Sequence, residues 1–152
     1  MGAETSAITA LLDEWRAQAA GAVDGWVAIV DEAPEQQYLY PEFVLFRDRL
    51  RARGIEARIC DPRDLAFRDG RLWHGDQAIG FVYNRCTDFA LAAPGTAALR
   101  AAYLDHAVAL SPHPFSHALY ADKRNLALLG DASPTPTWVV DGTGKLAWAN
   151  RA

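Results

Sequence analysis

Lysine is almost missing from this 152-residue chain: of 15 basic residues only Lys123 and Lys145 are lysines. With abundant alanine beside it, this reflects a GC-rich coding sequence and carries no function. Cysteine is as scarce. Cys60 and Cys86 stand 26 residues apart and form no C-x-x-C pair, which argues against a disulfide-stapled scaffold and against a zinc ribbon. No apolar run approaches the roughly 20 residues a membrane-spanning helix needs. The opening MGAETSAITALLDEW carries acids where a secretory signal carries bases followed by an unbroken apolar stretch. A soluble, reduced, cytoplasmic protein is the expectation. Positive charge is not in excess either. The net charge of −4 argues against a chain that coats nucleic acid or an anionic membrane surface. Internal repeats and low-complexity tracts are also absent.

What is present is a core. Hydrophobic residues make up 51% and charged ones 22%, enough apolar surface for one packed domain. Residues 5–20 read as an amphipathic helix with Ile8, Leu11, Leu12, Trp15 and Ala19 on one stripe, capped at Thr5 or Ser6 and ended by Gly21. Residues 26–31 form an apolar, β-branched run ending in Asp31, as expected of a strand buried on both faces. Pro41 opens a helix over 41–53 that turns Phe43, Phe46 and Leu50 inward and stops at Gly54. A second strand covers 55–60. Ala66–Trp73 reads as a hairpin turning at Asp69-Gly70, and a turn at His74-Gly75-Asp76 leads into a strand over 78–84. A helix over 96–105 buries Leu99, Tyr103 and Leu104. A short strand follows at 107–110, then a helix over 115–129. Pro134 and Pro136 break the tail, and Trp138–Asp141 with Leu146–Trp148 reads as a further hairpin. The alternation predicts an α/β fold with an open, mostly parallel sheet, flanking helices and a small β-hairpin insertion. The expected division is an N-terminal helix (1–22), the α/β domain (23–131) and a tail (132–152).

Phosphate-binding loops are missing where they would be expected. The first strand runs into Asp31-Glu32-Ala33-Pro34-Glu35, acidic and without glycine, so the G-x-G-x-x-G fingerprint of dinucleotide enzymes is lacking. Gly142-Thr143-Gly144-Lys145 lacks the spacing and the following hydroxyl of a Walker loop and reads as a hairpin turn. His113 and His117 lie four apart, but Pro114 interrupts the helical register and no H-E-x-x-H glutamate accompanies them, so no metal ligands are assigned. Cys86 reads as a buried structural thiol. Tyr83-Asn84-Arg85-Cys86-Thr87-Asp88 is the cluster with chemistry in it. An apolar strand delivers Asn84, Arg85, Thr87 and Asp88 to its C-terminal end, where open α/β sheets bind ligands, and Arg85 can grip a carboxylate or phosphate with a planar fork. The plainer reading pairs Arg85 with Asp88 to cap the next loop.

Val30-Asp31, Pro41-Glu42-Phe43, Gly54-Ile55-Glu56, Asp61-Pro62-Arg63-Asp64-Leu65, Asp69-Gly70-Arg71-Leu72 and Val82-Tyr83-Asn84-Arg85 follow in an order that resembles the pre-ATP-grasp domain of ATP-grasp ligases, on the glutathione synthetase and glutathionylspermidine synthase side. Ser111-Pro112-His113-Pro114 and Ala121-Asp122-Lys123-Arg124-Asn125-Leu126 extend the likeness, which covers residues 26–131. The resemblance implies a Rossmann-like domain that contributes to binding a small carboxylate or amine substrate, and their strand-end position makes Asn84, Arg85, Thr87 and Asp88 the expected substrate-binding residues. It implies Lys123 as the lysine that reaches ATP phosphates, and Ser133–Pro136 as the lead-in to a nucleotide-binding domain. ATP and magnesium are implied for a full-length ligase. The second lysine, the glycine-rich flap and the magnesium ligands of that family are not recognisable here. A fragment or shortened relative is therefore expected, one without catalytic residues or cofactor of its own that depends on an ATP-grasp domain or partner chain. A non-catalytic module for a small ligand or protein is the alternative.

Overall fold

The computed structural model describes residues 3–19, 24–121, 138–140 and 146–149. The chain divides into two units, Met1–Pro114 and Phe115–Ala152. The first begins with α1 (Ala3–Gln18). Because this helix is already under way at Thr5 and Ser6, neither caps it; Gly21 lies outside the described residues. Its stripe packs as expected, with Ile8 and Trp15 buried and Leu11, Leu12 and Ala19 partly so. The strand β1 (Trp26–Val30) is buried at all five positions, which its unbroken apolar run demands. The helix α2 (Tyr40–Arg51) buries Phe43 and Leu50 with Phe46 beside them, and Gly54 ends it at φ +76. Then come β2 (Ala57–Cys60), β3 (Leu65–Arg68) and β4 (Arg71–His74). Asp69 and Gly70 between β3 and β4 both have positive φ, 51 and 68. That conformation defines a type I′ turn and explains the Asp-Gly pair.

The long strand β5 (Gln77–Asn84) is the axis of the sheet. One edge pairs in parallel with β1, which pairs in parallel with β2. Along its other edge the N-terminal half pairs antiparallel with β4, and the C-terminal half pairs in parallel with β6 (Ala109–Ser111). The result is an open, mixed six-stranded sheet in the order β2-β1-β5-β4-β3, with β6 beside β5. The helix α3 (Ala97–Leu104) connects β5 to β6. It buries Leu99 and Ala102, whereas Leu104 is 64% exposed. The expectation of an inward Leu104 is corrected: burial of Leu99 and Ala102 turns that last position outward.

Two core layers sandwich the sheet. Ile8 and Trp15 of α1 and Leu50 of α2 cover Val27, Phe81 and Ala109 on one face. Leu99 and Ala102 of α3 pack with Ala28, Val30, Leu65, Leu72, Val82 and Leu110 of the sheet on the other. A β-bulge shapes β5, since Trp26 pairs with Ile79 but Val27 with Phe81, leaving Gly80 as the extra residue. The bulge lets Ile79 and Val82 face one layer while Phe81 faces the other.

The second unit contains most of α4 (Pro114–Tyr120), where a helix over 115–129 was expected; residues 122–130 lie outside the described ones. It also contains the antiparallel pair β7 (Trp138–Val140) and β8 (Leu146–Ala149), the tail hairpin expected from the sequence. Among the described residues no helix is long and apolar enough to cross a membrane.

Candidate functional site at the strand ends

The parallel strands β2, β1, β5 and β6 all end at one edge. From β1 the chain leaves through α2 on one face and reaches β2; from β5 it leaves through α3 on the opposite face and reaches β6. The strand order therefore reverses between β1 and β5, and such a reversal, with connections diverging to opposite faces, is where open α/β sheets bind ligands. The Arg85 amide donates to Val30 O at 2.8 Å, so the ladder extends one residue beyond β5 and fixes Arg85 at this switch point.

Its guanidinium is only partly spent. Nη1 donates to the Tyr83 hydroxyl at 3.1 Å, and Nη2 lies 3.6 Å from Glu42 Oε1, with 26% of the Arg85 side chain and 39% of the Glu42 side chain exposed. The plane sits 5.4 Å from the Tyr83 ring centre and 5.8 Å from that of Phe43. Tyr83 is itself backed by Phe46 at 5.4 Å. Nε is buried without a hydrogen-bond partner among the described residues. A cation stacked on aromatic faces and bound loosely to one carboxylate keeps capacity for another anion.

The acids around it differ in state. Burial pushes the Asp31 carboxyl above its ordinary value, although the Glu32 amide and Arg85 both pull it down. Asp61, at the end of β2, is held well below its ordinary value, chiefly by the Arg63 side chain and then by the Arg63 and Ala33 amides. Those amides donate to its Oδ1 at 2.9 Å and Oδ2 at 2.8 Å respectively. Asp61 therefore belongs to the turn, and Asp31 and Glu42 are the acids near the guanidinium.

The sequence-predicted residues separate under this geometry. Asn84 is 2% exposed, and its Oδ1 accepts the Cys86 amide at 3.1 Å. Asp88 does cap the next loop, but without Arg85. Its Oδ1 accepts the Ala92 amide at 3.0 Å, and its Oδ2 accepts the Ala93 amide at 2.8 Å and the Thr96 hydroxyl at 3.0 Å. Thr87 is exposed, its carbonyl accepting the Phe89 amide at 3.0 Å. Lys123 lies outside the described residues. Cys60 and Cys86 are buried free thiols that burial pushes up to about 12, so at neutral pH neither is a nucleophile. Among the described residues no three His, Cys, Asp or Glu side chains gather as a metal site. Glu42, Tyr83 and Asp31 are the partners that sequence reasoning did not assign. Asp31 had a visible signal, an acid closing an apolar strand, as Arg85 follows another.

The three bonds to Asp88 predict a stability effect. Asp88→Ala should cost about 1–2 kcal/mol, the usual loss for a cap. The Ala93 and Ala92 amides hold the carboxyl below its ordinary value of 3.8. Its contribution is complete above that value and disappears as pH falls through the lowered folded pKa. Urea midpoints between about pH 5 and about pH 2.5 should fall less steeply for Asp88→Asn than for the parent. Superimposable acid limbs would contradict this role.

No family model matches the chain, and no curated protein matches it significantly.

Proposed function

We propose that this chain is the substrate-binding, Rossmann-like domain of an ATP-dependent carboxylate–amine ligase of the pre-ATP-grasp kind, catalytically incomplete by itself, and that Arg85 receives the substrate's carboxylate. The observation that carries the proposal is the Arg85 guanidinium at the reversal of strand order, backed by Tyr83 and Phe43 and bound only loosely to Glu42. The mixed α/β sheet and the order of short motifs along residues 26–131 support the same reading. Asp31 and Glu42 beside the guanidinium favour a ligand that also bears an ammonium group and disfavour a polyphosphate. Asn84 and Asp88 then serve the site indirectly, holding the Arg85–Thr96 loop in shape through their backbone bonds.

Calorimetric titration with small amino acids, dicarboxylates and diamines tests this. A carboxylate bearing an amine should bind, and Arg85→Ala should weaken it roughly tenfold to a hundredfold, the worth of hydrogen bonds to a charged group. Arg85→Lys should restore little, since an ammonium cannot supply the fork. Stability should fall by only about 1 kcal/mol, because the ion pair lost is loose and partly solvated. ATP with magnesium should not bind tightly to this chain. Unaltered affinity in Arg85→Ala, or micromolar binding of ATP, would overturn the reading.

A further inference from the structure

Asp31 and Glu42 are both acids beside Arg85, yet they are held differently. The Asp31 carboxyl is engaged locally, its Oδ1 accepting the Glu32 amide at 2.9 Å, and it feels Arg85 as a charge. Glu42 stands in the first turn of α2, where the positive end of a helix favours an acid. The next residue, Phe43, is 1% exposed and lies against the guanidinium at 5.8 Å, so the packing of α2 sets where the Glu42 carboxylate stands. That place is 3.6 Å from Arg85 Nη2, with the Glu42 side chain still partly exposed. The gap is too wide for a charge-assisted hydrogen bond, which closes to about 2.8 Å. Tyr83 completes the frame. Its hydroxyl oxygen accepts from Arg85 Nη1 at 3.1 Å, which leaves the hydroxyl hydrogen to donate.

A bare anion arriving at Nη2 meets Glu42, a like charge beside the same donor. A ligand with an ammonium group next to its carboxylate turns that repulsion into attraction. Its carboxylate takes Nη2 and the Tyr83 hydroxyl, its ammonium takes Glu42, and four groups of alternating charge close a ring. One side of the ring is the 3.6 Å between Nη2 and Oε1. Hydrogen bonds of about 2.9 Å form the two adjoining sides, which leaves a fourth side that a single carbon between the ligand's two charged groups spans. A longer, flexible spacer must fold back to make the same contacts, at a cost in entropy. We infer that Glu42 is the specificity-determining residue of the Arg85 site, selecting an α-amino carboxylate over the same carboxylate without its amine and over amines held further away. The inference rests on the reading of Arg85 as the group that receives the carboxylate. Glu42 does not anchor that carboxylate; it discriminates, by attracting one ligand and repelling the other.

Glycine, acetate and 4-aminobutyrate, titrated separately into the full chain, test it by two-dimensional NMR of the Arg85 and Cys86 amides. Glycine and acetate differ by the ammonium group alone. The parent should prefer glycine to acetate roughly thirtyfold, with 4-aminobutyrate between them. Glu42→Gln should weaken glycine roughly tenfold, the worth of one charge-assisted hydrogen bond, and tighten acetate roughly threefold, so that the preference vanishes. A Glu42 that only steadied α2 would move the affinities together and leave their ratio alone. Arg85→Ala serves as the control for the carboxylate contact. The inference alone falls when Arg85→Ala removes binding but Glu42→Gln leaves the glycine-to-acetate ratio unchanged, or when 4-aminobutyrate matches glycine in the parent. It falls together with the reading of Arg85 when Arg85→Ala leaves every affinity unaltered. The same holds when no probe shifts these resonances at millimolar concentration in either the parent or Glu42→Gln.

Discussion

Gly80→Ala is expected to destabilise the first unit by about 3 kcal/mol, at the upper end of overpacking costs. A Cβ at Gly80 would collide with the Asp24 carbonyl and stand 2.7 Å from Trp15 Cζ2. Neither neighbour can yield easily. Asp24 precedes Gly25, whose φ of +93 leaves its own Cβ position 2.7 Å from the Gly80 nitrogen, so two backbones cross here with no side chain between them. Trp15 is 2% exposed and packs against Phe81 with ring centres 5.6 Å apart. The methyl can be accommodated only by moving the bulge, which would disturb the register that sends Ile79 and Phe81 to opposite core layers. Urea denaturation followed by tryptophan fluorescence measures the loss. A change below about 1 kcal/mol would mean that the crossing is looser than described.

Trp15→Ala should cost about 3–5 kcal/mol, as for other large buried aromatic truncations. Trp15 anchors α1 to the sheet: with Ile8 it covers Val27, Phe81 and Ala109, and Leu11 and Leu12 on the same stripe are only half-buried. Removing the indole therefore leaves α1 holding on through Ile8 and the Gln18–Leu110 bonds. Trp15→Phe should recover much of the loss by refilling the space. Hydrogen exchange should show α1 amides losing protection in Trp15→Ala before those of β1, because four of the five buried residues of β1, Val27 to Val30, pair with strands on both sides. Uniform loss of protection across α1 and β1 would instead make the helix part of the global unfolding unit.

Local chemistry carried much of the fold. The run from Trp26 to Val30 has no polar position to leave in water, so a doubly covered strand was legible without any partner in view. Asp69-Gly70 announced its turn because few residue pairs accept two successive positive φ angles. Gly54 marked the end of α2 for the same reason. The bulge was different. The stretch from Ala78 to Tyr83 is apolar throughout, so no alternation reveals where the strand changes face, and Gly80 read as an ordinary strand residue.

The candidate site divides along the same line. That Arg85 stands at a strand end could be read from the apolar run before it. Asn84 and Asp88, equally polar and equally close, are occupied by the amides of Cys86, Ala92 and Ala93, and short-range competition for backbone donors leaves no trace in composition. Which segments are strands, which helices present apolar stripes and where glycine must turn the chain follow from side-chain periodicity and backbone sterics within a few residues, and so were legible in the chain. That β5 is shared between β1, β4 and β6, and that Glu42 and Tyr83 meet on Arg85, follow from strand order and crossover, which bring together residues far apart in the chain.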